Sequence, residues 1–455
     1  MNIDEVLSRA KRIHFIGIGG SGMCPLAEIL HSKGYYLTGS DNNETDTLKR
    51  IRNLDIPVVM GQKAENVDGA DMVVFTAALL PDNPELKAAY EKGIPTFERS
   101  KLFGAITRKF GNCIGICGTH GKTTVTAMLS QIFIENGFDP SCIIGGKLPL
   151  TGTNGRVGNT DTLICEACEY KDTFLDLYPD ISVILNVDKD HMEYFKTLEN
   201  LERSFNKFAT MSSKCVIYNG DDKNTLDSIK GVAGKEMISF GRSPENDYYC
   251  GEITWIQGAY ADFDVYCKGE KLGRLELSVP GEHNITNALA VIATALYNGA
   301  SFEQCKTSIK HFTGAGRRFE KLGEYNGAVI ADDYAHHPKE LEVTLTAAKK
   351  MGYKRVWAVF QPFTFSRTKM LLQEFADALS IADRVVMTEI MGSREVNTYG
   401  IKTQDLADKI DGSVWFSTFD SVVQYLKENI AEGDLVITLG CGDVYKVAKK
   451  ILGNE

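Results

Sequence analysis

Residues 114–124 read Ile-Gly-Ile-Cys-Gly-Thr-His-Gly-Lys-Thr-Thr, and this stretch predicts a buried strand, a glycine-rich loop and the start of a helix. The two glycines of the loop permit backbone angles that other residues avoid, so successive N–H groups can point into one concavity at the positive end of the helix. Lys122 supplies a cation for terminal phosphates, and the Thr123 hydroxyl stands where a magnesium ligand is expected. The spacing departs from the common Walker A pattern, which has a small residue in place of Ile116. We predict a nucleotide loop, whose candidate residues are Gly118, Thr119, His120, Gly121, Lys122, Thr123 and Thr124.

The length and composition of the chain predict a folded protein of several domains. At 455 residues, about three domains of roughly 150 residues each are expected. The net charge of −10, with no basic run, argues against non-specific binding of nucleic acid. Eleven cysteines are scattered singly, which is typical of a reducing cytoplasm. The polar N-terminus predicts no signal peptide, and no apolar run reaches the roughly 20 residues of a membrane span, so we expect a cytoplasmic protein without membrane insertion.

A second glycine pattern follows the first predicted strand. Gly17, Gly19 and Gly22 satisfy G-x-G-x-x-G between a strand and a helix, and Asp41 follows at about the distance where a carboxylate binds a ribose hydroxyl. Taken alone, the pattern predicts a nicotinamide or flavin dinucleotide site, although its geometry requires only a diphosphate over a helix N-terminus. The alternative is that the glycines merely allow close packing of helix against strand. The surrounding alternation predicts an open α/β domain over residues 1–108.

Polar residues follow two predicted strands of a second α/β domain, which we place at residues 109–314. Glu166 and His191 stand at these strand ends, and carboxyl ends of strands meet at the ligand crevice of an open sheet. With Thr123 they form a mixed oxygen and nitrogen set suited to magnesium or manganese. The alternatives are a solvated loop for Glu166 and Glu169, and a capping or surface role for His191.

Two asparagines mark the start of a later predicted helix. Asn284 and Asn287 are three residues apart and therefore share one face of that helix. They can cap the helix or offer amides to the edge of an adenine, and two asparagines exceed what one cap requires.

A third α/β domain, at residues 315–455, follows a glycine hinge at 314–316. Arg318 lies just past this hinge, where a mobile arginine can reach a phosphate on domain closure; the alternative is a surface arginine that pairs with a neighbouring carboxylate. Asp332 and Asp333 are adjacent, so in an extended chain they face opposite ways and cannot form an acid/base pair. The pair His336-His337 precedes a proline, so both can be residues of a helix start.

These pieces together predict an enzyme that joins two substrates. ATP activates a carboxylate, and an amine then attacks the activated group. That chemistry needs charge neutralisation on the transferred phosphoryl group and exclusion of water. Spacing alone fits another kinase- or ATPase-like enzyme equally well.

The chain resembles the Mur ligases of peptidoglycan synthesis over nearly its whole length. The motifs that carry the resemblance are GIGGSGM with SD at 40–41, GTHGKTT, CEACEY, NVDKDHMEYF, HNITNAL, GRRFE, DDYAHHP and FQPFTFSRT. The resemblance implies three doubly wound α/β domains: Rossmann-like at the N-terminus, P-loop ATPase-like in the centre and Rossmann-like at the C-terminus. It also implies ATP-dependent ligation of L-alanine to the carboxylate of UDP-N-acetylmuramic acid through an acyl phosphate, with release of ADP and phosphate. The dinucleotide interpretation is dropped on this ground.

The resemblance also assigns residues, motif by motif. The implied UDP-sugar site consists of Gly17, Gly19, Gly20, Ser21, Gly22, Ser40, Asp41 and Thr76. The implied ATP site adds to the phosphate loop Asn284, Asn287, Arg318 and Asp333. The implied metal ligands are Thr123, Glu166 and His191, and the implied catalytic residues are Lys122, Glu166, His191 and Arg318. His337 and Arg367 are implied to lie toward the substrate carboxylates. We expect the UDP-sugar site to be built separately from the phosphate loop.

The chain departs from the family pattern at two of these motifs. Phe363-Thr364-Phe365 stands where a histidine-containing triplet is common, so selectivity for the amino acid is open. CEACEY replaces a more acidic stretch, which leaves the role of Glu169 open. The alternatives are a recycling ligase that attaches a preformed peptide, a non-catalytic UDP-sugar sensor switched by ATP, and a dinucleotide oxidoreductase. A monomer or homodimer that acts on small molecules is expected.

Overall fold

The first predicted strand lies at the centre of a five-stranded parallel sheet in a computed structural model of the protein, which describes residues 2–77, 79–80, 82–393 and 395–453. The strands are β1 (Arg12–Ile16), β2 (Tyr36–Asp41), β3 (Val58–Met60), β4 (Met72–Phe75) and β5 (Thr96–Glu98). The helices are α1 (Ile3–Arg9), α2 (Cys24–Ser32), α3 (Asp46–Arg52), α4 (Pro84–Glu91), α5 (Arg99–Thr107) and a 3-10 turn at Ala64–Val67. The strand order β3-β2-β1-β4-β5 places the glycine loop after β1 at the point where the order reverses, which is where open sheets bind ligands.

A second sheet is built around the strand that precedes the phosphate loop. Its elements are β6 (Asn112–Cys117), α6 (Lys122–Glu135), β7 (Ser141–Leu148), β8 (Thr153–Arg156), β9 (Thr162–Glu166), a 3-10 helix at Tyr170–Asp176, β10 (Ile181–Ile184), α7 (Met192–Phe195), α8 (Leu198–Met211), β11 (Cys215–Asn219), α9 (Lys223–Ser228) and β12 (Glu236–Gly241). The order is β12-β11-β10-β6-β9-β7-β8, parallel except for the β7–β8 hairpin. Strand β13 (Tyr248–Ile256) begins at the β12 edge, and the antiparallel pair β14 (Tyr260–Cys267) and β15 (Glu270–Glu276) follows it. Helices α10 (His283–Tyr297) and α11 (Phe302–His311) complete this region.

The third sheet has six strands, and all but the first are parallel. Its elements are β16 (Glu320–Tyr325), β17 (Ala328–Asp333), α12 (Pro338–Lys350), β18 (Val356–Phe360), α13 (Phe365–Met370), α14 (Leu372–Leu379), β19 (Arg384–Thr388), α15 (Thr403–Ala407), β20 (Val414–Phe416), α16 (Phe419–Asn429), β21 (Leu435–Leu439) and α17 (Tyr445–Leu452). The order is β16-β17-β21-β18-β19-β20. The central strands β18 and β21 are buried along their whole length, as expected for parallel strands covered by helices on both faces.

The chain forms two compact units, each with its own core. The first contains residues 1–249 and 289–305, and the second contains 250–288 and 306–455. In the first unit one apolar cluster runs from Phe15 in β1 to Phe208 in α8, so the first and second sheets share a core. At their junction α5 packs so tightly that a Cβ on Gly104 would lie 2.0 Å from the carbonyl oxygen of Asp176.

The predicted α/β class with three doubly wound domains is confirmed. The boundaries at 108/109 and 314/315 stay predictions. Within the described residues, no helix is both long enough and apolar enough to cross a membrane.

Candidate active site

The phosphate loop connects the buried end of β6 to the first residue of α6. Its two glycines have positive φ angles, 139° at Gly118 and 89° at Gly121, which side chains with a Cβ rarely adopt. A Cβ on Gly118 would also lie 2.9 Å from the Cβ of Leu185, so this position has no room for one. Helix α6 is buried from Val125 through Phe133, which anchors the loop in the core. The strand, loop and helix predicted from the sequence are all present.

Residues after β10 hold the loop in shape. The Asn186 amide donates to the carbonyl of His120 (3.0 Å) and accepts from the N–H of His120 (2.8 Å). The N–H of Thr119 donates to the Asn186 carbonyl at 3.0 Å, and the Thr119 hydroxyl accepts from the N–H of Asp188 at 2.9 Å. Asn186 therefore holds the phosphate loop in shape. In the sequence it stood out only as the first residue of the motif NVDKDHMEYF.

Lys122 is held in place by a buried carboxylate. Its Nζ lies 3.1 and 3.0 Å from the two carboxylate oxygens of Glu169, and it also donates to the carbonyls of Gly118 and Thr119. The side chains are 16% (Lys122) and 2% (Glu169) exposed. Burial lowers the pKa of Lys122, but the charge and hydrogen bonds of Glu169 outweigh it, so that pKa lies above its ordinary value. The open question about Glu169 thus has a structural answer: it fixes the charged lysine over the loop.

The predicted metal ligand Glu166 ends β9 at the neighbouring strand. One carboxylate oxygen accepts from the N–H of Gly145 in β7 at 2.5 Å, and a Cβ on Gly145 would lie 2.6 Å from the other oxygen. Thr123 is buried in the first turn of α6. Within the described chain no three His, Cys, Asp or Glu side chains are grouped to hold a metal ion. A carboxylate, a hydroxyl and an imidazole are nevertheless a donor set that fits Mg²⁺ when phosphate oxygens complete the shell.

His191 has an uncommon backbone conformation. Its φ of 55° lies in the left-handed region, directly before the four-residue helix α7. Its ring nitrogens lie 3.6 Å from a carboxylate oxygen of Asp190 and 3.5 Å from one of Glu193, and its ring centroid is 4.6 Å from that of Tyr170. Such conformations cluster at functional sites, because the surrounding structure must compensate their cost.

Asp41 shapes the glycine loop of the first sheet. One of its carboxylate oxygens accepts from the N–H of Gly19 at 2.9 Å, and the other accepts from Asn42 (2.8 Å) and Asn43 (3.0 Å). The side chain is 9% exposed. Both oxygens thus have partners in the chain, and binding of a ribose hydroxyl by Asp41 stays a prediction.

Ser40 belongs to a buried polar cluster. Its hydroxyl donates to Glu85 at 2.6 Å, and the same carboxylate lies 3.5 Å from the Nε2 of His14. Burial raises the pKa of Glu85, but hydrogen bonds from His14, Ser40 and Asn66 outweigh it and leave that pKa lowered. Because the Ser40 hydroxyl is fully buried, its contact with a ligand also stays a prediction. Thr76 lies beside the loop, 3.4 Å from where a Cβ on Gly17 would stand.

The β7–β8 hairpin contacts the glycine loop of the first sheet and Glu166 of the second sheet. Asn154 in β8 donates to the carbonyl of Ser21 in the glycine loop at 2.8 Å and accepts from Arg50 at 3.0 Å. Arg50 in turn pairs with Glu28 of α2 at 2.5 Å. The other strand of the hairpin contacts Glu166 through Gly145. One hairpin therefore contacts residues of both candidate sites, and the expectation that the UDP-sugar site is built separately from the phosphate loop stays a prediction.

In the second unit the two predicted adenine residues bond to each other. The Asn287 amide donates to the side-chain oxygen of Asn284 at 2.9 Å, and the Asn284 amide donates to the carbonyl of Pro280 at 2.7 Å. Both side chains are buried. Neither bond caps α10, because neither asparagine accepts a main-chain N–H in it. The two side chains are hydrogen-bonded in series at the start of the helix.

The paired arginines after the hinge have different surroundings. Arg317 is held by Asp332 at 2.8 Å and by the Gly440 carbonyl at 2.6 Å. The guanidinium carbon of Arg318 lies 5.2 Å from the centroid of the Tyr334 ring. Arg317 is structural, and Arg318 remains the candidate for the nucleotide.

Asp333 faces away from Asp332, as the alternation of a strand predicts. Its carboxylate accepts from the N–H groups of Phe319 and Ala335, each at 2.7 Å. Burial raises the pKa of Asp333 to about 6, although the charge of Arg318 and both N–H groups oppose the rise. The two aspartates therefore form no acid/base pair, and Asp333 shapes the turn that carries Arg318.

The two histidines begin α12. His337 is the N-cap residue, and its Nδ1 accepts from the N–H of Lys339 at 3.4 Å. His336 lies 3.3 Å from Glu340, and burial lowers the pKa of His336. Arg367 lies in α13, which follows β18, and its positive charge also lowers the pKa of His336. The helix-start interpretation of the histidines is thus correct for His337, and a ligand role in addition stays a prediction.

The candidate residues divide between the two compact units. The first unit contains the glycine loop, the phosphate loop, Glu166 and His191, and the second contains Asn284, Asn287, Arg318, Asp333, His337 and Arg367. The phosphate loop, Glu166 and Asp333 lie at the carboxyl ends of the parallel strands β6, β9 and β17, where open α/β sheets bind ligands, whereas Asn284 and Asn287 lie at the start of α10 and Arg318 precedes β16.

Comparison with known proteins extends the resemblance to the whole chain. Sequence models match at residues 12–111 (Mur ligase family, catalytic domain), 116–295 (Mur ligase middle domain) and 317–442 (Mur ligase, glutamate ligase domain). UDP-N-acetylmuramate--L-alanine ligase of Caldanaerobacter subterraneus subsp. tengcongensis is 44% identical over 99% of this chain and 99% of its own length. The enzyme of that name from Acetivibrio thermocellus is 41% identical over 98% of this chain and 97% of its own. The crystal structure of UDP-N-acetylmuramate-alanine ligase MurC from Thermotoga maritima superposes with a TM-score of 0.83 at 27% identity, over 97% of this chain and 98% of that one. The chain therefore belongs to the Mur ligase family.

Proposed function

We propose that this protein ligates L-alanine to the carboxylate of UDP-N-acetylmuramic acid, using ATP and releasing ADP and phosphate, in the cytoplasmic synthesis of peptidoglycan precursors. The observation that carries the proposal is a phosphate loop with a fixed, charged lysine in a chain that is 44% identical, end to end, to a ligase of that name. The family uses ATP. The domains that bind UDP-sugar, ATP and amino acid are proposed at residues 1–108, 109–314 and 315–455.

The reaction has two steps. A carboxylate oxygen of the acceptor attacks the γ-phosphorus of ATP, ADP leaves, and an acyl phosphate forms. The alanine amine then attacks the carbonyl carbon, phosphate leaves, and the nitrogen loses a proton. Lys122 neutralises charge on the transferred group, and Glu169 keeps the lysine charged and beside the loop.

The second unit supplies the remaining groups. Arg318 lies on a turn held by Asp333 and is the proposed second cation for the nucleotide. Asn284 and Asn287 are proposed near the adenine, and His337 and Arg367 toward the substrate carboxylates.

A magnesium or manganese ion is proposed at Thr123, Glu166 and His191. Bound there, the metal supplies positive charge for the phosphate oxygens. The N–H of Gly145 holds one carboxylate oxygen of Glu166 and so fixes the position of this proposed ligand. The metal is hard and prefers oxygen ligands, which agrees with two of the three donors.

Phosphate release in the presence of UDP-N-acetylmuramate, measured across alanine, glycine, serine and a tripeptide, tests the proposal. We expect release to depend on both acceptor and amine, one ADP per product, with alanine preferred. Release that depends on neither would favour the ATP-switched sensor.

The triplet after Gln361-Pro362 departs from the family pattern, and this is a second reason to compare several amine substrates. Thr364 has a φ of 64°, a strained value for a β-branched residue, and its N–H donates to the Met391 carbonyl at 2.9 Å. This strain is stored where the amino-acid site is proposed. Preference for the tripeptide would contradict the alanine assignment and identify a recycling ligase. A monomer or homodimer is proposed for the assembly.

A further inference from the structure

The turn that carries Arg318 has an uncommon backbone conformation on both sides of this residue. The φ angles are 61° at Arg317 and 49° at Phe319, in the left-handed region that residues with a large side chain rarely adopt. The N–H of Arg318 between them donates to the carbonyl of Ala315 at 3.0 Å. Such a conformation persists only when surrounding contacts hold it, so the contacts of this turn fix the position of Arg318.

The side chain of Arg317 connects the turn to the ends of two neighbouring strands. Its Nε donates to a carboxylate oxygen of Asp332 in β17 at 2.8 Å. Its Nη1 and Nη2 donate to the carbonyls of Gly442 and Gly440, which follow β21, at 3.2 and 2.6 Å. The rigid fork of a guanidinium meets these acceptors in fixed directions, whereas a lysine ammonium is a single point of charge. Arg317 therefore joins the turn both to β17 and to the loop after β21.

Two tyrosine rings lie against the Arg317 guanidinium. The ring centroids of Tyr334 and Tyr445 are 4.9 and 4.8 Å from its central carbon. The ring of Tyr334 also contacts Arg318, and the main-chain N–H of Tyr334 donates to the carbonyl of Arg317 at 2.8 Å. Because both guanidiniums contact the same ring, a displacement of Arg317 would also change the surface against which Arg318 packs.

Carboxylates hold the main chain of the turn as well. Glu320 accepts from the N–H of Arg317, and Asp333 accepts from the N–H of Phe319, each at 2.7 Å. Asp332, the partner of the Arg317 side chain, is only 2% exposed. The turn is thus held at both strained residues and is anchored to a buried charge.

We propose that Arg317 is a positioning residue for Arg318: it holds the strained turn so that Arg318 is fixed in place before the nucleotide binds. The inference rests on the proposed function, in which Arg318 is the second cation for the nucleotide. A cation that is already in place stabilises charge on the transferred phosphoryl group without reorganisation during the reaction. Arg317 acts only through its neighbour, because its Nε, Nη1 and Nη2 all donate within the protein.

The variant Arg317→Lys, made in the full chain, tests this role. It keeps a positive charge beside Asp332 and loses the guanidinium fork. We expect it to lower the rate of phosphate release about 10- to 100-fold, the effect of displacing a group at the reaction centre by about 1 Å. UDP binding, measured by calorimetry, should stay at the wild-type value.

The same substitution in an Arg318→Ala background completes a double-mutant cycle. There it should change the rate less than about 2-fold, because the residue through which it acts is gone. A merely structural role would lower the rate by the same factor in both backgrounds. Rates are measured with enzyme in excess over sugar nucleotide, because Arg318→Ala alone should lower turnover about 1,000-fold.

Arg355→Lys is the matched control. Arg355 also pairs with a buried aspartate, Asp434 (1% exposed), donates to a main-chain carbonyl, that of Asn429, and lies over an aromatic ring, that of Trp357. It directly precedes β18, at the amino ends of the parallel strands, so we expect wild-type turnover in this variant. Thermal unfolding of both lysine variants compares their effects on stability.

Tyr445→Leu is a second, milder perturbation, because it removes one ring beside Arg317 and keeps the ion pair with Asp332. It should lower the rate about 3- to 10-fold, again only where Arg318 is present. Wild-type turnover in Arg317→Lys and Tyr445→Leu overturns the inference, as does a loss of equal size in the Arg318→Ala background or in Arg355→Lys. An Arg318→Ala protein that turns over at the wild-type rate overturns the proposed role of Arg318, and the inference with it.

Discussion

Replacing Lys122 with alanine leaves a buried carboxylate without its cation, and this separates the structural from the catalytic role of the lysine. Glu169 is 2% exposed, and both of its oxygens lie within 3.1 Å of the Lys122 ammonium. Removing one partner of such a pair costs about 3–5 kcal/mol, because the remaining charge stays buried and uncompensated. At about 2–4 °C per kcal/mol for a domain of roughly this size, thermal unfolding should occur on the order of 10 °C lower.

A second variant distinguishes the two roles. In Lys122→Ala/Glu169→Gln the remaining side chain is neutral, so we expect most of the lost stability to return. Turnover should not return, because no cation faces the transferred phosphoryl group, a loss of at least about 100-fold. Thermal unfolding and phosphate release, measured on the wild type, both single variants and the double variant, complete the cycle. UDP binding should persist in every folded variant.

Three results would refute this reasoning. Unfolding of Lys122→Ala at the wild-type temperature would mean that the ion pair contributes nothing. A double variant no more stable than Lys122→Ala would mean that the loss does not come from the buried charge of Glu169. Loss of UDP binding in a folded Lys122→Ala protein would mean that the glycine loop depends on the phosphate loop.

Two further predictions concern pH dependence and packing. The pKa of Asp333, raised by burial to about 6 from its ordinary 3.8, means that the folded state binds this proton more tightly than the unfolded state. The stabilisation from this bound proton is full below about pH 4 and is lost as the pH rises through about 6. Measured by urea unfolding, the free energy of unfolding of the wild type relative to Asp333→Asn should therefore fall by about 3 kcal/mol over that range. A rise in this difference would contradict the assignment. Gly104→Ala places a Cβ 2.0 Å from the Asp176 carbonyl. It should cost about 3 kcal/mol of unfolding free energy, although alanine favours a helix by about 1 kcal/mol. A stabilised variant would show that the junction can relax.

Sequence patterns predicted those parts of the site that are formed by a few consecutive residues. The strand, glycine loop and helix at residues 114–124 follow from an apolar run, two glycines and a helix-forming segment in direct succession. The opposite orientation of Asp332 and Asp333 follows from the period of a strand. The whole-chain resemblance supplied the family, because the motifs that define it are short and contiguous.

Contacts between distant segments were not predicted. Glu169 is 47 residues from Lys122, and Asn154 is 133 residues from Ser21, so no periodicity connects them. For Ser40 and Asp41, the motif pointed to a ligand, whereas the structure shows their side chains bonded within the protein.

The sequence by itself determined that this chain forms three α/β domains with phosphate-type loops at strand ends, since hydrophobic periodicity and glycine positions act over a few residues. Only the tertiary structure decided which charged side chains pair with each other. It paired Lys122 with Glu169, and it brought one hairpin into contact with both Ser21 of the glycine loop and Glu166. The physical reason is that burial and charge compensation depend on distances between segments, and those distances exist only once the strands have assembled into sheets.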